Sequence, residues 1–203
     1  MKLNLTQKSI LLVVLILIAD QVLKIYIKTH MMLGESFSLI GNWAIIHFTE
    51  NNGMAFGMEF GGEFGKMALT IFRILAVILI AYYLLRIIRE GAPKGVAIGI
   101  ALILAGALGN IIDSVFYGVI FNDSYGSIAT LFPPEGGYSS LLHGRVVDMF
   151  YVHLIDTTWP KWIPFIGGSD FVFFRPIFNI ADSSISIGVV YLILFQRKFF
   201  AGK

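Results

Sequence analysis

The run Gly95-Val-Ala-Ile-Gly-Ile-Ala-Leu-Ile-Leu-Ala-Gly-Ala-Leu-Gly-Asn-Ile-Ile-Asp113 carries no charged side chain until its last residue. Wound as an α-helix rising 1.5 Å per residue, residues 95–112 cover about 27 Å. That is close to the roughly 30 Å of a bilayer's hydrocarbon. The glycines suit close contact between helices. Asn110 and Asp113, three apart, share one face at the polar end. A carboxylate at membrane depth costs at least about 2.5–3.5 kcal/mol, so it is retained for pairing or for chemistry.

Three further stretches, residues 9–27, 67–88 and 177–195, are long and apolar enough to span. The expectation is an all-α membrane protein: four transmembrane helices, a small extracytoplasmic β-sheet and an extended second extracytoplasmic loop, in one integral membrane domain over residues 1–203. Composition agrees. Of 203 residues 57% are hydrophobic and only 14% charged, where a soluble domain carries about 25% charge. A net charge of +2 gives no ground for a nucleic-acid partner. The absence of cysteine excludes disulfides, thiolate metal sites, a cysteine nucleophile and a lipid-attachment cysteine. The N-terminus superficially resembles a signal peptide, but the apolar run is long, contains Asp20 and Lys24, and lacks a small-x-small cleavage site. A retained helix is expected.

Basic residues set the orientation. Lys2 and Lys8, then Arg86, Arg89 and Lys94, then Arg197, Lys198 and Lys203 flank three ends of the spans, with Glu90 the one acid among them. Both termini are therefore expected in the cytoplasm, with loops at about 29–66 and 114–176 outside. Lys24 and Lys28 run against this rule. In the first loop Trp43-Ala-Ile-Ile-His-Phe-Thr49 reads as a short strand ending at the turn signal Glu50-Asn-Asn-Gly53. Trp159 and Trp162 of the second loop read as interfacial anchors.

The polar residues of the spans gather at one depth. Asp20 and Lys24 are four apart and can pair; the asparagine-to-aspartate spacing of Asn110 and Asp113 recurs at Asn179 and Asp182; Asp148 follows in Arg145-Val-Val-Asp-Met-Phe150. Each has a plain alternative. Asp20 with Lys24 can be a structural salt bridge, Asp182 an N-cap, Asn110 and Asp113 partners of a helix end, and Asp148 a solvated loop residue. If Asp148 and Asp182 meet, they can share one proton, as in an aspartic peptidase. Other chemistries lack their patterns. The four histidines form no His-Glu-x-x-His pair, the serines no Gly-x-Ser-x-Gly, and no phosphate-cradling Gly-x-x-x-x-Gly-Lys occurs.

In order, Asp20-Gln21 with Lys24, Asn51-Asn-Gly53-Met-Ala55-Phe56, Gly106-Ala-Leu-Gly109-Asn110 with Asp113, Val146-Val147-Asp148, and Phe178-Asn179-Ile-Ala181-Asp182-Ser183 resemble the lipoprotein signal peptidase (type II signal peptidase) family through all four spans. The resemblance implies an intramembrane aspartic endopeptidase of the bacterial inner membrane, with its site near the outer face. Such an enzyme cleaves the signal peptide from diacylglyceryl-modified prolipoproteins, amino-terminal to the lipidated cysteine. It implies Asp148 and Asp182 as the catalytic pair. Asn51, Gly53, Asn110, Asp113, Asn179 and Ala181 match positions that shape the site, and Asp20 with Lys24 a stabilising pair. No metal and no cofactor are implied; the partners are the prolipoprotein and membrane lipid, and a monomer is expected.

Two departures qualify the resemblance. The family pattern continues Asn-x-x-Asp-Arg, whereas Ser114 follows Asp113; Arg145, three residues before Asp148, is the candidate to supply that charge. The chain is also longer between Asp113 and Val146 and between Phe150 and Phe174, which is expected to enlarge the outer part as a lid over substrate. The alternative function is a small proton- or ion-coupled transporter, which would spread polar groups through the midplane, commonly in repeated halves. No repeat is evident.

Overall fold

A computed structural model describes residues 3–41, 43–52, 62–152, 155–173 and 176–201. Gly53 lies outside the described residues. Among these, three helices are long and apolar enough to cross a bilayer: Leu5–His30, Gly62–Arg89 and Lys94–Ile120. The first is α1, opened by a capping box in which Asn4 Oδ1 accepts the Gln7 N–H at 2.8 Å and Gln7 Oε1 accepts the Asn4 N–H at 3.0 Å. The second is α2. The third starts as α3 (Lys94–Ile112), widens into a π-helical turn (Asp113–Tyr117) and ends as α4 (Gly118–Ile120). A fourth apolar helix, α5 (Ile180–Phe195), has 16 residues, about 24 Å, and a final turn, α6 (Arg197–Phe200), follows it.

α3 is the hub, lying against α1, α2 and α5. Its seam with α5 is built on glycine. A Cβ at Gly106 would fall 2.1 Å from the Ala181 carbonyl oxygen, and one at Gly188 2.7 Å from that of Gly99. Only hydrogen at these positions lets the two backbones approach so closely. The opposite surfaces are apolar and exposed: Ile10, Leu15, Ile18 and Val22 of α1, and Phe72, Leu75, Ile78 and Leu79 of α2, are each more than half accessible. Such faces are solvated by lipid chains rather than water.

One end of the bundle carries an antiparallel sheet in the order β1 (Ser36–Ile40), β2 (Ala44–Asn51), β3 (Val146–Val152), β6 (Ile177–Phe178). β3 is rich in the branched and aromatic residues that strands favour, and its first four residues are buried. Thr49 pairs with Asp148 and Phe150 with Phe178. Phe48, Val147 and Met149 form a second core with Ile27, Met31, Tyr117 and Phe121. This core fastens the sheet to the ends of α1 and α3. A separate hairpin pairs β4 (Ile155–Thr158) with β5 (Asp170–Phe173).

Four expectations need adjustment. The expected strand over 43–49 continues through Glu50 and Asn51, because those residues pair with Val147 and Val146. Asp148 lies in a central strand, not in a solvated loop. The helix expected from residue 177 starts at Ile180, since Ile177 and Phe178 pair with β3 and Asn179 caps the helix. The loop expected from residue 114 also begins later, as helical backbone runs on to Ile120. Its later part docks on the π turn and on Gly118, the residue after it. The Gly144 N–H donates to the Ser114 carbonyl at 2.9 Å, the Leu142 N–H to Val115 at 3.0 Å and the Ser139 N–H to Gly118 at 2.8 Å. A π turn frees carbonyls from the helical ladder, and here the second loop satisfies them.

Candidate active site

Asn179 joins the sheet to α5. Its side-chain oxygen accepts the Asp182 N–H at 2.8 Å, and Asp182 Oδ2 accepts the Asn179 N–H at 3.4 Å. The cap is thus Asn179, with Asp182 as its reciprocal partner in the first turn. A carboxylate there also meets the positive end of the helix dipole. Asp182 Oδ1 accepts a hydrogen bond from Asn110 Nδ2 at 2.8 Å.

The amide of Asn179 faces the other acid. Its Nδ2 donates to Asp148 Oδ1 at 2.6 Å and lies 3.1 Å from Asn110 Oδ1 and 3.2 Å from the Val147 carbonyl. Asn51, brought alongside by the β2–β3 pairing, donates to Asp148 Oδ2. Asn179 therefore touches both acids, one through its side chain and the other through its backbone. Asp148 is 3% exposed. Burial, with the negative charge of Asp182 second, pushes its carboxyl up to about 8.

Beneath this pair lies a buried charged cluster. Lys24 Nζ is 2.9 Å from Asp20 Oδ2, 2.8 Å from Asp113 Oδ2 and 2.9 Å from Asn110 Oδ1. The remaining lone pairs are filled by backbone: Asp20 Oδ1 accepts the Ala181 N–H at 2.9 Å, and Asp113 Oδ2 the Val147 N–H at 3.2 Å. Gln21 Nε2 donates to Asp113 Oδ1 at 2.9 Å, and Tyr117 OH to Gln21 Oε1 at 3.1 Å. Such a cluster is tolerable in an apolar interior because its members are paired and hydrogen-bonded.

The predicted residues Asp20, Lys24, Asn51, Asn110, Asp113, Asp148, Asn179, Ala181 and Asp182 thus fall into one connected network. Arg145 does not join the acid pair through its hydrogen bonds. Its guanidinium donates to Glu50 Oε2 at 3.1 Å and to both oxygens of Asp123 at 3.1 and 3.2 Å, and stacks 4.6 Å from the Tyr138 ring centroid. Its hydrogen bond holds Asp123 below the usual carboxylate range. The cation beside Asp113 is Lys24, from α1, while the Ser114 hydroxyl returns to the Asn110 carbonyl at 2.9 Å.

The sequence reading gave no role to Gln21, Tyr117, Lys28 or Glu50. Lys28 pairs with Glu50 and donates to Ser124 Oγ at 2.7 Å. Asp20, Lys24 and Lys28 recur at steps of four, so a single buried face of α1 was the available signal. Chemically, two coupled carboxyls with amide donors, set where apolar helices meet a polar sheet, can hold one proton between them and act on a carbonyl and a water.

The sequence profile of the signal peptidase (SPase) II family matches residues 12–198. A lipoprotein signal peptidase of Porphyromonas gingivalis (strain ATCC 33277) is 52% identical over 184 residues, covering 90% of this chain and 80% of that one. One from Amoebophilus asiaticus (strain 5a2) is 38% identical, covering 90% and 75%. A bacterial membrane enzyme solved by the in meso method at 2.3 Å resolution superposes with a TM-score of 0.62 at 30% identity, over 97% of this chain and 91% of the other.

Proposed function

This chain belongs to the signal peptidase II family, and we propose that it removes signal peptides from diacylglyceryl-modified prolipoproteins with Asp148 and Asp182 as its catalytic pair. The observation that carries the assignment is the double contact of Asn179, which ties Asp148 and Asp182 together at the mouth of α5. Asp148, with its carboxyl raised to about 8, keeps its proton at neutral pH. Asp182 takes a proton from the attacking water as that water adds to the scissile carbonyl. Asp148 donates a hydrogen bond to the carbonyl oxygen, and the pair later returns a proton to the leaving amine. The products are the shortened lipoprotein, beginning at its lipidated cysteine, and the free signal peptide. No step calls on a metal or cofactor.

The remaining residues shape the site. Asn51 and Asn179 orient Asp148, Asn110 orients Asp182, and the Lys24 cluster holds α1, α3, α5 and β3 in register. α5 serves as the fourth span, both termini face the cytoplasm, and the sheet lies at the outer surface of the bacterial inner membrane. That placement puts the acids where the acyl chains of the substrate hold its cysteine. The whole chain acts as one monomeric unit, with the second loop over the substrate. Gathering of the polar groups at the sheet end of the bundle disfavours the transporter alternative.

The test uses purified protein with diacylglyceryl-modified and unmodified prolipoprotein. Asp148→Asn and Asp182→Asn are expected to lower kcat by at least about a thousandfold while remaining folded, as when one member of a catalytic unit is removed. The unmodified precursor should be cleaved poorly, and EDTA should leave the rate unchanged. Turnover retained by either variant ends the assignment.

A further inference from the structure

α2 buries Lys66, Thr70, Val77, Leu84 and Ile87. These steps of three, four and seven mark one inward stripe, and position 73 lies on it between Thr70 and Val77. The residue there is Arg73, half-buried within an apolar span. An arginine so placed is costly to insert and is read by default as functional.

Its height in the bundle matches that of the acids. α2 and α3 are antiparallel neighbours joined by residues 90–93. Arg73 precedes the α2 terminus Arg89 by 16 residues, and Asn110 follows the α3 start Lys94 by 16. Both therefore stand about 24 Å from the connecting turn. Asn110 is the side chain that donates to Asp182 Oδ1. At that level the Arg73 guanidinium is within electrostatic range of Asp182. The other charged groups around the pair are Asp20 and Lys24 of α1, Asp113 at the end of α3 and Asp148 of β3. Lys24 is already shared between Asp20 and Asp113.

We propose that Arg73 is a positioning residue for Asp182, its positive charge favouring the negative charge on that carboxylate and so leaving the shared proton on Asp148. This inference rests on the catalytic pair proposed above and fixes which member accepts and which donates. The cation comes from α2, a helix that contributes nothing else to the described hydrogen bonds of the pair.

The experiment is a pH profile of kcat/KM for wild type, Arg73→Gln and Arg73→Lys on a synthetic diacylglyceryl-modified prolipoprotein peptide in detergent. Removal of a nearby cation weakens the hold on the negative charge of the acid pair, so the acid limb of Arg73→Gln should move to higher pH by about one unit or more. On the acid limb activity at a fixed pH should fall about tenfold, with the alkaline limb in place. Arg73→Lys keeps the charge and should keep the wild-type limb. An acid limb unmoved in Arg73→Gln, or moved equally in Arg73→Lys, overturns the proposal. If the glutamine variant misfolds, Arg73→Met is read by the same criterion; misfolding of both overturns it too, because the charge would then serve the fold. Asp182→Asn, run alongside, separates the two readings. Turnover there removes the pair itself, whereas an inert Asp182→Asn with an unmoved limb in Arg73→Gln removes only the role of Arg73.

Discussion

Asn179 does two jobs that substitution can separate. It caps α5 through its side-chain oxygen and presents its amide to Asp148. Serine preserves the cap and loses the amide, so Asn179→Ser is expected to melt within about 1 kcal/mol of wild type yet lose at least about a hundredfold in kcat. Differential scanning fluorimetry beside single-turnover cleavage checks both halves. The pH dependence belongs to Asp148. An acid raised to about 8 donates its proton below that pH and has none to give above it, so kcat should fall as pH rises through about 8, and the fall should vanish with the residual rate of Asp148→Asn. Lys24 is the counter-case, a buried cation whose removal leaves Asp20 and Asp113 facing each other. Lys24→Met should destabilise the protein by about 3–5 kcal/mol, visible as loss of folded protein on size-exclusion chromatography in detergent.

Among the elements, the α3–α5 seam is the least forgiving. A methyl at Gly106 would overlap the Ala181 carbonyl, so Gly106→Ala should cost about 1–3 kcal/mol as an overpacked contact, whereas Ala at Gly95, whose nearest neighbours are the flexible ends of Gln196 and Tyr191, should cost less. Paired thermal melts decide it. The apolar helices were legible in the sequence because a bilayer demands long apolar runs and penalises every exception. For the same reason Asp20, Lys24, Asp113 and Asp182 stood out. The strand status of Asp148 was not legible: Val146, Val147 and Met149 make too short a run for its period to be told from loop, and the partners that fix it, Thr49 and Phe150's mate Phe178, are remote in the chain. The partners of Arg145 were not legible either. Arg145 was the nearest arginine able to supply the charge missing at Ser114, but it precedes β3, and its hydrogen bonds go to Glu50 of β2 and Asp123 of the second loop, residues remote in the chain.

Across the whole molecule, the sheet, the second loop and the bundle are held by one band of polar groups. Arg145 ties the loop residue Asp123 to Glu50 of β2, and Lys28 of α1 closes the set. Arg145→Ala should therefore lower the melting temperature and raise KM while leaving the pH limbs of kcat in place, which a pH-resolved kinetic series reads directly. The contact between Asp20 and the Ala181 amide has a consequence for biosynthesis. The carboxylate of Asp20 in α1 takes its backbone partner from α5, 161 residues further along the chain, so during synthesis that charge stays half-matched until α5 has been made. Truncation before α5 should therefore yield a product that proteases clear faster than the longer chain.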